Sequence, residues 1–363
     1  MRNWKIIIAV AGAAFGLSNA APASSNTPFG QHTVRVTRIN YKGWRNCADV
    51  SNGLVEAIVV PEIGRIMAFQ FAGHPETSPL FTNSDLLGKT GADVGAGNWA
   101  NFGGDKLWPS PQSEWPQYIG HTFPPPPAFD GLPERLDVVP GGVRLSTPRS
   151  TEFGAESTRV ITLRPGDTHL YISQTLRRTL EPRLMSGVNR RNLAGEAGIW
   201  SVTQTRGDGA VFLPVNPRSR FPQGFVTFDN DSRPLFNPPS LPFGWTRSDA
   251  LLTGRRDPVN SSKLGSDNSA GWIASLYSGT VLFSEHFPTH FGPLYPDGGC
   301  RTEVYANSGA TAYVELELLG PLQKLPNGRQ MTYDIAWNLE RLPIVPKNDG
   351  DAERLVRAAM SRN

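Results

Sequence analysis

The sequence predicts an all-β protein, one large antiparallel sandwich closed by a short C-terminal helix. Three observations carry this reading. Glycine and proline, 37 and 32 of 363 residues, make up close to a fifth of the chain, against about 12% in ordinary proteins, and they break it at short intervals. Between the breaks lie strand-length runs of alternating or wholly apolar residues. Only the C-terminal stretch has the apolar spacing of a helix.

The elements follow in order. Arg2 and Lys5, the apolar run Ile6 to Leu17 and the small residues around Ser18-Asn19-Ala20 read as a secretory signal over 1–20, too short to span a bilayer. Residues 21–31 are small and polar and read as a disordered lead-in. A β-sandwich domain is expected over 32–345. His32 to Ile39, Leu54 to Val60 and Arg65 to Phe71 read as its first strands, the last two joined by the turn Pro61-Glu62-Ile63-Gly64. Residues 97–115 hold Trp99, Trp108 and Trp115 with Gly103-Gly104, Asp105-Lys106, Pro109 and Pro111. The two prolines remove amide donors, so this stretch reads as an irregular rigid loop rather than a helix or central strand.

Pro124 to Pro127 reads as a stiff polyproline spacer. Val143 to Leu145, Ser157 to Leu163 and His169 to Leu176 are strands, the last pair joined by the turn Pro165-Gly166-Asp167. Gly198 to Thr205, Ala210 to Val215, Gly271 to Leu276, Val281 to Phe287, Thr302 to Ala306, Ala312 to Leu319 and Met331 to Leu339 supply the rest. The polar, proline-rich tract 216–267 reads as loops over one rim. In the tail 346–363, Asp351 to Met360 places Leu355, Val356 and Ala359 on one side of a helix that Asp349 or Asp351 could cap.

The net charge is +3, and Arg2 and Lys5 of the signal supply two of those charges. The balance therefore points to no nucleic acid or anionic membrane, and no later stretch is apolar enough to span a bilayer. The paired arginines at 177–178, 190–191 and 255–256 are scattered and read as solvated surface. The two cysteines, Cys47 and Cys300, both follow the signal. In a periplasmic or secreted protein one disulfide between them is the default, closing a long loop at roughly 5 kcal/mol of ideal stabilisation; two buried free thiols are the alternative.

Motifs of familiar chemistry are absent. There is no Gly-x-Ser-x-Gly elbow and no Walker loop. Pro288 between His286 and His290 forbids the helix that would align a metal pair. Asp229-Asn230-Asp231-Ser232 lacks calcium-loop spacing. No cofactor is implied. What the 97–115 stretch does assemble is indole faces, amides and one charge of each sign, the inventory of a sugar site; a corner whose tryptophans plug the core is the competing reading.

The chain resembles an uncharacterised group of exported proteins in the galactose mutarotase-like superfamily, which includes aldose 1-epimerases. Several blocks carry the resemblance: Gly43-Trp44-x-Asn46-Cys47, Ser51-Asn52-Gly53-x-Val55-Glu56, Asn101 to Gln112 around Gly103-Gly104 and Trp108-Pro109, Ile199 to Gln204, Tyr295-Pro296-Asp297, Glu303-Val304-Tyr305 and Tyr313 to Pro321. It spans roughly residues 33–342. It implies a large antiparallel β-supersandwich, a carbohydrate ligand and, at Glu317, the late-strand glutamate that serves epimerases as general base. One departure stands out. The epimerase histidine on a middle strand should fall near Ile199-Trp200-Ser201, and Trp200 stands there instead, with Gln204 four positions on.

Anomeric epimerisation needs a base and an acid on opposite sides of one sugar ring. Glu317 shares a strand face with Glu315 and Tyr313, and two carboxylates on one face raise each other's pKa. For the acid, His286 is the first candidate, with His121 and Lys106 as further options. Asn101, Asp105, Lys106, Trp108, Gln112 and Trp115 are expected to line the sugar site from the central stretch. Trp200, Gln204, Asp297 and Glu303 are expected to line it from the later strands. A glycosidase carboxylate pair drawn from Asp105, Asp297, Glu303 and Glu317 is a further chemistry the residues admit. Three functions follow: a carbohydrate-active, epimerase-like enzyme; a non-catalytic glycan-binding protein on the same scaffold; and an envelope-interaction protein.

Overall fold

A computed structural model of the protein describes residues 33–95, 99–187, 196–230 and 232–362. The expected signal and lead-in, His32, Gly97, Asn98, the arginine pair 190–191 and Asp231 lie outside the described residues.

Four strands, β1 (Arg35–Tyr41), β2 (Trp44–Ser51), β3 (Val55–Val60) and β4 (Arg65–Phe71), pair in sequence order as one antiparallel sheet. β5 (Gly104–Ser110) and a short helix, α1 (Trp115–Ile119), follow. Then come β6 (Arg135–Val139), β7 (Gly142–Ser146), β8 (Ala155–Leu163), β9 (His169–Arg178), β10 (Glu196–Arg206) and β11 (Ala210–Pro214). The tract read as loops holds β12 (Val226–Phe228), β13 (Pro234–Leu235), β14 (Trp245–Arg247), β15 (Leu251–Arg255) and β16 (Ser262–Ser266). The last strands are β17 (Trp272–Tyr277), β18 (Val281–His286), β19 (Thr302–Ala306), β20 (Tyr313–Leu319), β21 (Gln323–Lys324) and β22 (Gln330–Arg341), before helix α2 (Asp349–Met360).

Two further sheets form. One runs β14-β15-β11-β17-β18-β22-β9-β8-β7-β6, the other β13-β12-β16-β19-β20-β10-β21, with β5 also on β10. Their inner faces share one apolar core, to which Ile172, Phe283 and Trp337 contribute from the first sheet and Leu107, Ile199 and Leu316 from the second. In β8 and β9 every second residue is buried, as a strand with one solvated face requires. β10 and β20 differ: nine consecutive residues of β10, and all of β20, are buried. One face of this pair meets the core and the other is covered as well, and that second face carries the site.

The 97–115 stretch departs from its expected loop. Gly104–Ser110 is a fully buried strand in register with β10, Trp108 opposite Trp200 and Lys106 opposite Val202. Pro109 is tolerated because β5 is hydrogen-bonded to a strand on one side only, where a missing amide donor costs nothing. The glycine expectation holds for a specific reason. Gly104 has φ +68°, and a Cβ there would come within 2.5 Å of the Ile66 carbonyl oxygen.

The disulfide expectation is corrected. Cys47 and Cys300 are both buried free thiols. Cys47 packs in the first sheet's own cluster with Trp44 and Ile58, whereas Cys300 belongs to the main core just before β19. α2 forms as expected but begins at Asp349, capped by the Asn348 side chain, which accepts from the Asp351 amide. Its buried Leu355, Val356 and Ala359 pack on Phe212, Leu276 and Leu282 of the ten-stranded sheet.

Candidate functional site

Antiparallel register decides which side chains meet on the covered face of the β10–β20 sheet, since directly opposed residues point the same way. Trp200 opposes Trp108 and Leu319; Val202 opposes Lys106 and Glu317; Gln204 opposes Glu315. On the far side of β20, Glu303 opposes Glu317 and Tyr305 opposes Glu315, and Lys263 on β16 opposes Tyr305. One sheet face thus gathers two lysines, three glutamates, a glutamine, two tyrosines and two indoles. Over it opens a hollow of about 490 Å³.

Aromatic rings wall this hollow: Trp99, Trp108 and Phe123 at one end, Phe228 and Tyr305 at the other, with Trp200 between. Trp108 and Trp200 are 3% and 4% exposed, so they offer edges at the floor. Their rings meet edge to face at 5.1 Å, a favoured quadrupole geometry. Gln112 and Tyr313 line the hollow too, with Asn230, Ser232, Ser261 and Ser262 at polar positions.

The floor is a hydrogen-bonded charge layer. Glu315 Oε1 accepts from Lys106 Nζ and from Gln204 Nε2, both at 2.9 Å. Glu317 Oε2 accepts from the Trp200 indole at 2.9 Å and from Lys263 Nζ at 3.2 Å. Lys263 also pairs with Glu303 at 2.7 Å. Each ammonium further lies against rings: Lys106 4.6 Å from the centre of Trp108 and 5.4 Å from that of Trp99, Lys263 4.7 Å from Trp200 and 5.0 Å from Phe228. Such contacts stabilise a cation that burial would otherwise disfavour.

Burial raises the pKa of Glu317 to about 8; Lys263 opposes the rise, and Glu303 and Glu315 add to it. The same pattern raises Glu303, with Asp297 as its neighbouring charge, and Asp297 itself is raised by burial. One lysine thus faces three carboxyl groups that cannot all ionise together. Burial works against the Lys263 ammonium, yet Glu303 and Glu317 outweigh it and hold the proton firmly. Asp297 is held at φ +52°, a backbone region uncommon for a residue with a side chain. The arrangement supplies a carboxyl group able to give or take a proton near neutral pH, beneath walls formed largely of aromatic rings.

Several sequence-predicted residues fall elsewhere. Asp105 points the opposite way from Lys106, as neighbours on a strand must. It is 1% exposed in the sandwich interior, where Arg159 Nη1 donates to it at 2.6 Å and the Ile66 amide at 2.5 Å. Asp105 and Lys106 are therefore not partners. Trp115 is wholly buried, its indole donating to the Pro109 carbonyl at 2.9 Å; it supports Trp108 from behind and does not line the hollow. Asn101 is half-buried and engages Asn83 through its backbone carbonyl, outside the lining. Gln204, Glu303 and Asp297 lie beneath or behind the floor, positioning Glu315, Lys263 and Glu303 in turn.

His286 is the largest displacement. It lies on β18 in the other sheet, bonded to Ser284 and close to His169, and burial pushes its pKa down to about 4. It cannot face a ring held over Glu317. No histidine lines the hollow among the described residues. Sequence reasoning missed Lys263, Tyr305, Phe228 and Phe123 as site residues, whereas Trp99 and Tyr313, which it places beside the sugar inventory and Glu317, do line the hollow. For Lys263 a signal existed in the alternation of Ser262-Lys263-Leu264-Gly265-Ser266, hidden in a tract whose prolines read as loop.

No protein-family model matches the chain, and no curated protein matches it. Solved structures do. An Escherichia coli K12 protein whose name proposes an aldose 1-epimerase aligns with TM-score 0.52 and 10% identity, covering 80% of this chain and 97% of its own. A Salmonella typhimurium protein whose name proposes a mutarotase gives 0.51 and 11%, covering 84% and 94%. A galactose mutarotase related enzyme from Lactobacillus acidophilus gives 0.50 and 8%, covering 81% and 97%. The fold is the galactose mutarotase-like β-sandwich.

Proposed function

We propose that this protein binds a carbohydrate in the hollow over β10 and β20, and that it does so outside the cytoplasm. The observation that carries this reading is Glu317, a buried carboxyl group held between an indole N–H and a lysine under a ring of aromatic walls. Flat apolar walls suit the C–H faces of a pyranose, and a few fixed polar groups at the floor suit its hydroxyls. The neighbours' names, all from proteins of this fold, point the same way. Residues 1–20 serve in this reading as a secretory signal and 21–31 as a lead-in to the sandwich domain, which makes the protein periplasmic or secreted.

A second reading, aldose 1-epimerase-like proton transfer, is favoured by the raised pKa of Glu317. In that step Glu317 takes the proton of the anomeric hydroxyl, the O1 electron pair closes the C1 carbonyl, and the C1–ring-oxygen bond breaks with its electron pair leaving on the ring oxygen, which takes a proton from solvent. The absence of histidine from the described lining weighs for binding alone. Proton NMR of freshly dissolved α-glucose and α-galactose separates the two. Faster anomer equilibration that is lost in Glu317→Gln supports catalysis; an unchanged rate with saturable quenching of tryptophan fluorescence supports binding alone. If neither sugar nor any glycan on an array perturbs the protein, the carbohydrate reading falls.

A further inference from the structure

The lining is a track rather than a cup. Along the floor Phe228 and Trp200 flank Lys263, at 5.0 and 4.7 Å from its ammonium to each ring centre. Trp108 follows 5.1 Å from Trp200, Phe123 lies 6.4 Å beyond Trp108, and Trp99 closes the row 5.0 Å from Phe123. Trp108 and Phe228 stand on β5 and β12, five strand spacings apart in the sheet order, and the curvature of the sheet brings their ring centres to within about 15 Å of each other. The rings also change direction. Trp108 and Trp200 are inclined at 83°, so the edges they show at the floor run in two directions.

Volume and charge agree with an extended occupant. The hollow of about 490 Å³ falls within the roughly 300–1,000 Å³ of pockets that take drug-sized ligands. A single hexose, with about a dozen heavy atoms each smaller than a water, leaves part of it unfilled. Both ammonium groups at the floor are already committed to carboxylates, Lys106 to Glu315 and Lys263 to Glu303 and Glu317. No arginine lines the hollow among the described residues. A phosphate, sulfate or uronate would meet carboxylates with no free counter-charge.

From these observations we infer that the hollow takes an uncharged glycan of two or more rings, a disaccharide or the end of a longer chain, in preference to a free monosaccharide. This rests on the carbohydrate-binding reading and narrows it. The chain of rings lies along the aromatic track from Phe228 to Phe123, and the bend between Trp200 and Trp108 selects a linkage that turns.

The test is a set of calorimetric titrations of the full chain with glucose, glucose 6-phosphate, and the two-, three- and four-ring members of the maltose, cellobiose and chitobiose series. The inference expects at least one series to gain tenfold or more in affinity from one ring to two or three. Phe123→Ala and Phe228→Ala should each remove fivefold or more of that gain; the half-exposed Phe123 can be cut back without disturbing the core. Equal affinity for one ring and for every longer member overturns the inference while the carbohydrate reading stands. Tighter binding of glucose 6-phosphate than of glucose overturns its uncharged part. Binding of none of these sugars overturns both.

Discussion

Trp200 and Glu317 meet across neighbouring strands, the indole N–H donating to the carboxylate at 2.9 Å. The resemblance to epimerases called for a histidine near this position, and the residue there is a fixed donor to Glu317. Trp200→Phe keeps the ring wall and removes that donor. The expected outcome is a stability loss of about 1–3 kcal/mol and a further rise in the Glu317 pKa, followed by carboxyl-selective NMR. An unmoved carboxyl resonance contradicts the pairing.

Trp115 and Trp99 separate core from site. Trp115 is wholly buried, so Trp115→Ala should cost about 3–5 kcal/mol in urea unfolding. Trp99 is partly exposed at the mouth of the hollow, and Trp99→Ala should lower glycan affinity at a smaller stability cost. The reverse ranking in denaturation contradicts this assignment.

Arg159 holds Asp105 and Glu134 in the interior, at 2.6 and 3.1 Å. Breaking a buried network by removing one partner leaves an uncompensated charge. Asp105→Asn should therefore lower stability by about 3 kcal/mol and leave the glycan dissociation constant unchanged, because Asp105 faces away from the hollow. A weakened ligand titration with unaltered unfolding would place Asp105 back in the site.

Glu285 is wholly buried on β18, and burial pushes its carboxyl to about 8, with Asp105 adding to the rise and Thr203 opposing it. The native state therefore keeps this proton up to about pH 8, whereas the unfolded chain releases it near 4.5. Between these values the native state binds more protons, so stability falls as pH rises through the window. Glu285→Gln should flatten that fall and stabilise the protein at pH 8 by several kcal/mol. Equal pH slopes for wild type and variant, measured by urea unfolding at pH 5 and pH 8, contradict the buried proton.

Cys47 and Cys300 are buried thiols with raised pKa, burial being the first cause in each. Thiol reagent should titrate neither in the native protein and both after unfolding, and reductant should leave the melting temperature unchanged. A Tm drop of several degrees on reduction contradicts this.

Much of the fold was legible because strand alternation is local. β19 falls on the expected Thr302 to Ala306, and β20, β22 and α2 lie within a few residues of expectation. β5 was not legible, since Pro109 argues against a strand unless the one-sided pairing with β10 is known. β2 was hidden by Arg45 and by Asn46 at φ +53°, and β12 to β16 by prolines and polar residues. At the site, Glu317, Lys106, Trp108, Gln112 and Trp200 carried recognisable chemistry. Lys263 did not, because only the pairing of β16 with β19 brings it over to Glu317. Asp105 misled for the opposite reason: adjacency to Lys106 in sequence means opposite faces on a strand.

Glycan contact at this hollow is reported most directly by the indole N–H signals of ¹⁵N-labelled protein. On titration with a two- or three-ring glycan, the cross-peaks of Trp99, Trp108 and Trp200 should move together and saturate, while those of Trp44 and Trp337 stay fixed. Saturable movement confined to Trp44, Trp245, Trp272 or Trp337, or no movement with any glycan, would contradict it.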